Sequence, residues 1–229
     1  MQINGAVALV TGANRGLGRH FTKQLLERGA AKVYATARRP ELIDIPGAEP
    51  LRLDILDPSS IAAAAGIATD VTLLINNAGI TTYTNLVTGD LDKIRLEMDT
   101  HFWGTLRMIR AFAPRLSGGA ILNVLSALSW FNYEGATAYG AAKAAQWNMT
   151  NGVRLELAPQ KTLVTGLHLG AADTDMMAGY QGPKADPADV VRAALDGIEE
   201  NRLEVVFDEW SAMVKASLAE DPSRFYKLT

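Results

Sequence analysis

The stretch AVALVTGANRGLG, residues 6–18, joins an apolar run to a glycine-rich turn. Val7–Thr11 has the composition of a strand buried on both faces, and an amphipathic helical pattern begins after Gly16. Glycines let the backbone turn tightly and approach a phosphate, which the N–H groups and dipole of the helix then face. The stretch predicts a dinucleotide-binding turn, and the alternative is an ordinary strand–helix connection. The residues predicted to contact the dinucleotide are Gly12, Asn14, Arg15, Gly16, Leu17 and Gly18.

Strand-like and helical segments alternate along the rest of the chain. The further predicted strands are Lys32–Thr36, Leu51–Leu53, Thr72–Asn76, Ala120–Val124, Leu163–Leu169 and Leu203–Val206. The predicted helices are one that starts after Gly16 and ends near Gly29, two that begin at Pro58 and Pro187 with Asp57 and Asp186 as N-caps, and two over residues 90–116 and 136–157. This order predicts a single α/β domain over residues 1–229, with a doubly wound parallel sheet of about seven strands and helices on both faces.

The composition of the 229 residues excludes several classes of protein. A formal net charge of −3, with the basic residues scattered, provides no field for nucleic acid. There is no cysteine for disulfides or thiolate chemistry, and the three histidines lack the spacing of metal ligands. No apolar run reaches the ~18 residues that span a bilayer, and the N-terminus lacks a signal-peptide pattern. We therefore expect a cytoplasmic protein that binds neither metal, membrane nor nucleic acid.

The end of the second predicted strand lies where a dinucleotide-binding protein places its ribose contact. Ala37 stands where an acid would accept hydrogen bonds from the adenosine ribose, and Arg38 and Arg39 follow it. An acid would repel a 2′-phosphate, whereas guanidinium groups pair with it, and Arg15 offers a second cation. The residues favour NADP(H) over NAD(H), with Arg38 as the predicted contact. The alternative is a pair of solvated loop arginines.

A second stretch, TAYGAAKAA at residues 137–145, places Tyr139 and Lys143 four positions apart on a predicted helix, where they share a face. Free tyrosine has a pKa near ~10, and a neighbouring ammonium group favours the phenolate and lowers that pKa. Tuning of this kind suits general acid catalysis. The same spacing also occurs by chance on helix surfaces, so these two residues alone leave both interpretations open.

The glycine spacing together with Tyr-x-x-x-Lys resembles the classical short-chain dehydrogenase/reductase family, from about residue 5 to 210. Asn76-Asn77-Ala78-Gly79 resembles a family element after the fourth strand, and Ser126 lies 13 residues before Tyr139, as the catalytic serine does. Residues 168–176 resemble the segment that holds the nicotinamide, with Leu169-Gly170 where the family usually has Pro-Gly. The resemblance implies a Rossmann-type fold. The further coenzyme contacts that it implies are Asp54, Ile55, Asn77, Ala78, Gly79, Tyr139, Lys143, Ala172 and Thr174.

The resemblance also implies a hydride transfer between NADP(H) and a ketone, aldehyde or alcohol. In reduction, Tyr139 would protonate the carbonyl oxygen, Ser126 would donate a hydrogen bond to it, and Lys143 would hold the nicotinamide ribose. Two alternatives stay open: an enzyme of the same fold that reduces an imine or modifies a sugar, and a non-catalytic NADP(H)-binding regulator. A homodimer or homotetramer is implied as well.

One position departs from the family pattern. In MDTHFWGTLRM, residues 98–108, His101 stands where the family usually has an active-site asparagine. That asparagine helps to hold a water that relays protons to the lysine, and a histidine with a pKa near ~6.5 could pass protons itself. Three interpretations follow: a tolerated replacement, an altered proton path with a shifted pH optimum, and a binding protein without turnover.

The substrate wall is predicted from segments 80–86, 127–135 and 176–183. The middle segment carries Trp130, Phe131 and Tyr133, which suggest an aromatic pocket but are equally compatible with core or interface positions. Of the other histidines, His168 ends a buried strand and is expected in the core, and His20 is expected to pack on or near the surface.

Overall fold

The computed structural model describes residues 1–226, and its seven strands form one parallel sheet. The strands are β1 (Val7–Thr11), β2 (Lys32–Ala37), β3 (Glu49–Arg52), β4 (Leu73–Asn76), β5 (Ala120–Val124), β6 (Leu163–His168) and β7 (Glu204–Val206). Their order is β3-β2-β1-β4-β5-β6-β7, and all neighbouring pairs are parallel. The predicted fold class is confirmed. The bounds predicted for β3 were wrong because this edge strand is largely exposed and does not form an apolar run.

Three predicted helix boundaries are confirmed. The helices are α1 (Gly16–Glu27), α2 (Pro58–Ile67), α3 (Leu91–Met98), α4 (Thr105–Phe112), α5 (Thr137–Leu157), α6 (Pro187–Glu199), α7 (Glu209–Ser217) and α8 (Pro222–Phe225). Asp57 and Asp186 cap α2 and α6, each accepting a hydrogen bond of 2.8 Å from the backbone N–H two residues on. Gly29, with φ of 79°, follows α1 and donates its N–H to the Leu26 carbonyl oxygen.

Helices cover both faces of the sheet because successive strand side chains point to opposite sides. In β1, Ala8 and Val10 belong to the core on the side of α1 and α6. Leu9 belongs to the opposite core, which it shares with side chains of α2, α4 and α5. This arrangement leaves the loops after the strands free to form a site at the carboxyl edge of the sheet.

The helix predicted over residues 90–116 is interrupted. A π-helical segment, Asp99–Gly104, separates α3 from α4 and carries His101. Such segments inside helices are frequent at functional sites, and apolar periodicity alone does not reveal them. Among residues 1–226, no helix is long and apolar enough to cross a bilayer. The same residues contain no cluster of three or more side chains able to hold a metal ion.

Candidate active site

A cleft of ≈ 1440 Å³ opens at the carboxyl ends of the strands. Beneath it lie β1 and β4, which are neighbours in the sheet although β2 and β3 intervene in sequence. Doubly wound folds bind ligands at this switch point, outside the carboxyl ends of the strands. The glycine turn and the Tyr139–Lys143 pair both line this cleft.

The glycine turn after β1 has a backbone that favours glycine. Gly12 and Gly16 have φ angles of 67° and 53°, in the left-handed region. A Cβ on Gly18 would lie 2.1 Å from the Gly12 carbonyl oxygen and 2.6 Å from Asn77 Nδ2. Asn77 Nδ2 also donates to the Thr11 carbonyl oxygen at 2.9 Å, which fastens the turn to the end of β4. The turn and the first N–H groups of α1 form a cradle of the kind that accepts a pyrophosphate.

Most of the predicted coenzyme contacts share this cleft, and Gly18 is the exception. Gly18 is buried against the turn and does not line the cleft, so in this structure its smallness serves helix packing. The lining residues that were predicted are Gly12, Asn14, Arg15, Gly16, Leu17, Arg38, Asp54, Ile55, Asn77, Ala78, Gly79, Ala172 and Thr174.

The end of β2 supplies positive charge to one end of the cleft. Ala37 is buried, whereas Arg38 and Arg39 are exposed, and all three line the cleft. Arg15 forms a 3.3 Å ion pair with Asp175, in which the side chains are 67% and 72% exposed. An exposed pair contributes only ~0–1 kcal/mol, so a phosphate can displace Asp175 from Arg15.

Ser126, Tyr139 and Lys143 converge on the cleft from the end of β5 and from α5. Ser126 also caps a short turn, since its Oγ accepts a 3.1 Å hydrogen bond from the backbone N–H two residues on. Lys143 Nζ lies 5.7 Å from the centroid of the Tyr139 ring. It donates to the Val124 carbonyl oxygen at 2.8 Å and to Gln146 Oε1 at 3.0 Å. An ammonium group has three N–H donors, so one is left for a ligand hydroxyl.

Burial changes the acid–base properties of this pair. Removal from water lowers the pKa of Lys143 to about 7, with the negative charge of Glu97 acting against that change. Burial raises the pKa of Tyr139 above its ordinary value, and the nearby Ser126 hydroxyl opposes the rise. The expectation that Lys143 lowers the tyrosine pKa therefore does not hold for the chain alone, because desolvation acts on both groups.

His101 lies against Tyr139 and is 1% exposed. The two rings meet edge to face, with centroids 5.2 Å apart and 88° between the planes. His101 Nε2 makes a 2.9 Å hydrogen bond with the Ile80 carbonyl oxygen, and Glu97 Oε2 approaches the same nitrogen at 3.3 Å. Burial lowers the pKa of His101, and the charge of Lys143 lowers it further. The imidazole is therefore neutral, and its Nε2 proton is donated to the Ile80 carbonyl oxygen, with Glu97 Oε2 nearby but without a hydrogen-bond partner among the described residues.

Glu97 is a site residue that the sequence interpretation missed. It is fully buried, and its Oε1 accepts a 2.5 Å hydrogen bond from the backbone N–H of Thr82. The available signal was its place four residues before His101 on one helix, a spacing that puts both side chains on the same face. An acid among the many charged residues of this helix is normally solvated, so the spacing alone was weak evidence.

Comparison with known proteins agrees with this geometry. A family model described as short chain dehydrogenase matches residues 6–184. The chain belongs to the short chain dehydrogenase family. Carbonyl reductase (NADPH) 2 of Sus scrofa is 33% identical over 180 residues, which cover 73% of this chain and 72% of the relative. Trans-4-hydroxycyclohexanecarboxylate dehydrogenase of Sinomonas cyclohexanicum is 29% identical over 235 residues, which cover 94% and 91%.

A solved structure of a family member covers the whole chain. The crystal structure of a short chain dehydrogenase from Burkholderia cenocepacia in complex with NADP matches with a TM-score of 0.95 at 40% identity and covers 100% of both chains. The predicted family and its Rossmann-type fold are confirmed by these matches.

The aromatic residues of this short chain dehydrogenase divide between cleft and core. Tyr133 lines the cleft, as do Tyr83 and Tyr180 from the other two predicted wall segments. Trp130 instead stacks on His168, with ring centroids 3.8 Å apart, and Phe131 stacks on Tyr226 of the C-terminal segment, at 5.0 Å. Only one of the three aromatic residues of segment 127–135 therefore belongs to the wall.

His168 is a core residue, as predicted, and it supports the serine of the short chain dehydrogenase site. Its side chain is fully buried, and burial lowers its pKa to about 4. The neutral ring donates from Nδ1 to the Ser126 carbonyl oxygen at 3.1 Å. This bond fixes the backbone of Ser126 where β5 ends. His20, on α1, is partly buried.

Proposed function

We propose that the chain is an NADP(H)-dependent oxidoreductase that interconverts a ketone or aldehyde and an alcohol. The proposal rests on one observation: the glycine turn and the side chains of Ser126, Tyr139 and Lys143 line the same cleft. The Sus scrofa relative is named as a carbonyl reductase with NADPH, and the Burkholderia structure is a complex with NADP. The arginines after β2, with no acid at Ala37, agree with this coenzyme.

The cleft residues fit each part of NADP(H). The turn from Gly12 to Gly16 would hold the pyrophosphate, because the left-handed backbone at both glycines turns the chain tightly at the start of α1 and lets it approach a phosphate. Arg38 would pair with the 2′-phosphate, and the remaining N–H of Lys143 would bind a ribose hydroxyl. When bound, the reduced coenzyme supplies a hydride to the substrate carbon.

The protein side chains would position the carbonyl oxygen of the substrate and supply its proton. Ser126 would donate its hydroxyl proton in a hydrogen bond to the carbonyl oxygen and so fix its position. Tyr139 would donate the proton that the oxygen needs as it becomes an alcohol. Its raised pKa keeps the phenol protonated at neutral pH, which suits the reducing direction. A charged Lys143 would favour the phenolate that forms.

The substrate end of the cleft favours an uncharged compound. Tyr83, Tyr133 and Tyr180 line it, and the Tyr83 hydroxyl donates to the Met176 carbonyl oxygen at 2.8 Å. Lys184 is the basic residue of this end and is paired with Asp173 at 2.8 Å. A carboxylate or phosphate on the substrate would therefore have no free cation among the described residues of this end, whereas an apolar or aromatic ketone would pack on the tyrosine rings.

The proposal is tested by measuring NADPH consumption with acetophenone, 2-octanone, benzaldehyde, a cyclic imine and 2-ketoglutarate, each repeated with NADH. We expect turnover of the uncharged carbonyl compounds, with NADPH preferred. Reduction of the imine alone would favour the imine reductase alternative. Tight NADPH binding without consumption of any compound would favour a non-catalytic regulator.

We further propose that the chain functions as one domain and as a homodimer or homotetramer. Apolar side chains are exposed on α3, on α5 and in the π-helical segment, which is support for a subunit interface; they are Leu91, Leu96, Trp103 and Leu155. Analytical ultracentrifugation would test this, and a monomer at micromolar concentration would contradict it. A cytoplasmic location stays a prediction.

A further inference from the structure

We propose that Glu97 is a positioning residue whose nearby charge keeps the proton of His101 on Nε2 and serves as the buried counter-charge for the Tyr139–Lys143 pair. The inference rests on the proposed function. It begins from the burial of Glu97, whose carboxylate has no exposed surface although it sits on a helix with many solvated charges. A buried charge is costly unless partners compensate it, so the identity of those partners defines its role.

The carboxylate of Glu97 has two neighbours, of which His101 lines the cleft. One carboxylate oxygen is fixed by the Thr82 backbone N–H at 2.5 Å, and the other lies 3.3 Å from His101 Nε2. The Nε2 proton is donated to the Ile80 carbonyl oxygen, so His101 Nδ1 presents a lone pair, and Glu97 Oε2 has no hydrogen-bond partner among the described residues. That nitrogen is buried and has no hydrogen-bond partner among residues 1–226. The ring lines the cleft against Gly79, where a Cβ would lie 2.8 Å from His101 Cε1.

The titratable groups around Glu97 lie on α5, on the π-helical segment and on two loops. Tyr139, on α5, packs edge to face on His101 with ring centroids 5.2 Å apart, and Lys143 Nζ lies 5.7 Å from the Tyr139 ring centroid. The phenols of Tyr83 and Tyr133 lie on the two loops that line the cleft. In this set Glu97 is the carboxylate, and in a region of low dielectric constant its negative charge favours the cationic form of Lys143 over the neutral one. The negative charge of Glu97 supports the ammonium form of Lys143 and opposes the phenolate form of Tyr139. Both effects move proton loss from the site to higher pH.

The first test compares pH profiles of kcat/KM for acetophenone reduction in the parent and in Glu97→Gln. Glutamine keeps the shape and an acceptor for the Thr82 N–H but removes the charge. We expect the alkaline limb to move to lower pH by roughly 0.5–1 unit. The matched control is Asp99→Asn, which removes an exposed acid two residues away and should leave the limb within ~0.2 unit. An unshifted Glu97→Gln profile, or an equal shift in both variants, would overturn the inference.

A second readout does not depend on turnover. In the coenzyme-free parent, Lys143 has a pKa of about 7, so near pH 7 it is half protonated in the folded chain and fully protonated in the unfolded chain. The unfolding free energy therefore rises with pH there, at half the largest slope that one group can give. Because Glu97→Gln lowers that pKa further, its slope between pH 6.5 and 7.5 should be up to about twice as steep. Equal slopes would contradict the inference even if no carbonyl compound is reduced. If Glu97→Gln does not fold, both measurements are made instead on the double variant E97Q/H101N, with His101→Asn as its reference. The double variant should fold because the two neutral amide side chains can form a hydrogen bond with each other.

Discussion

The proposed preference for NADP(H) depends on the guanidinium group of Arg38, which forms no ion pair or hydrogen bond with another described residue. Arg38 is exposed at the rim of the cleft, beside the buried Ala37 that leaves room for a 2′-phosphate. A hydrogen bond to a charged group contributes about 1.5–3 kcal/mol. Since each 1.4 kcal/mol changes a dissociation constant tenfold, Arg38→Ala should weaken NADPH binding by about 10- to 150-fold. Exposure to solvent and the neighbouring Arg39 place the expectation at the lower end of that range.

Isothermal titration calorimetry or coenzyme fluorescence would give the Kd of NADPH and of NADH for the parent and for Arg38→Ala. NADH lacks the phosphate, so its Kd should change by less than about threefold. Arg110→Ala, which removes an equally exposed arginine from α4 away from the cleft, is the matched control and should change neither constant. The parent's NADPH affinity should also fall with salt more steeply than that of Arg38→Ala. Equal losses for the two coenzymes would refute the reasoning.

Two further predictions concern the turn and the buried lysine. Gly18→Ala places a Cβ 2.1 Å from the Gly12 carbonyl oxygen, so NADPH affinity measured by fluorescence should fall by at least about tenfold. Gly152→Ala is the control, because a Cβ there meets nothing within 4 Å, and it should bind NADPH normally. Unchanged binding in Gly18→Ala would contradict the described turn. The pKa of Lys143, lowered to about 7 in the folded chain, makes the unfolded chain bind more protons between pH 7 and 10. Urea unfolding without coenzyme should therefore show stability rising by up to ~1.4 kcal/mol per pH unit from pH 7.5 to 9, and Lys143→Met should lack that rise. A parent stability that falls over this range would refute a neutralised lysine.

Much of the fold could be predicted because local signals agreed with one another. The apolar runs indicated the buried strands. Asp57 and Asp186 indicated where helices begin, because N-capping depends only on residues a few positions apart in the sequence. The edge strand β3 was misplaced because burial, on which the apolar pattern depends, is absent there. The π-helical segment around His101 could not be foreseen, since apolar periodicity does not distinguish it from a continuous α-helix.

The candidate site divides in the same way. Tyr139 and Lys143 could be predicted to lie together at the site, because their spacing of four residues puts both side chains on one face of a helix. Glu97 could not, because its role requires knowing that its carboxylate is buried beside His101. In the chain without coenzyme, burial raises the pKa of Tyr139, an effect that the spacing could not reveal because desolvation depends on the full surroundings of a group.

The central claim is that the phenol of Tyr139 delivers a proton to a substrate oxygen in the cleft. Phenylalanine at this position keeps the ring that packs edge to face with His101 and near Lys143 Nζ, so the fold and coenzyme binding should be preserved. Single-turnover oxidation of bound NADPH by acetophenone, followed by absorbance, should slow by about 10²- to 10⁴-fold in Tyr139→Phe, with the Kd of NADPH within about twofold of the parent. A rate within threefold of the parent at normal coenzyme affinity would contradict the claim.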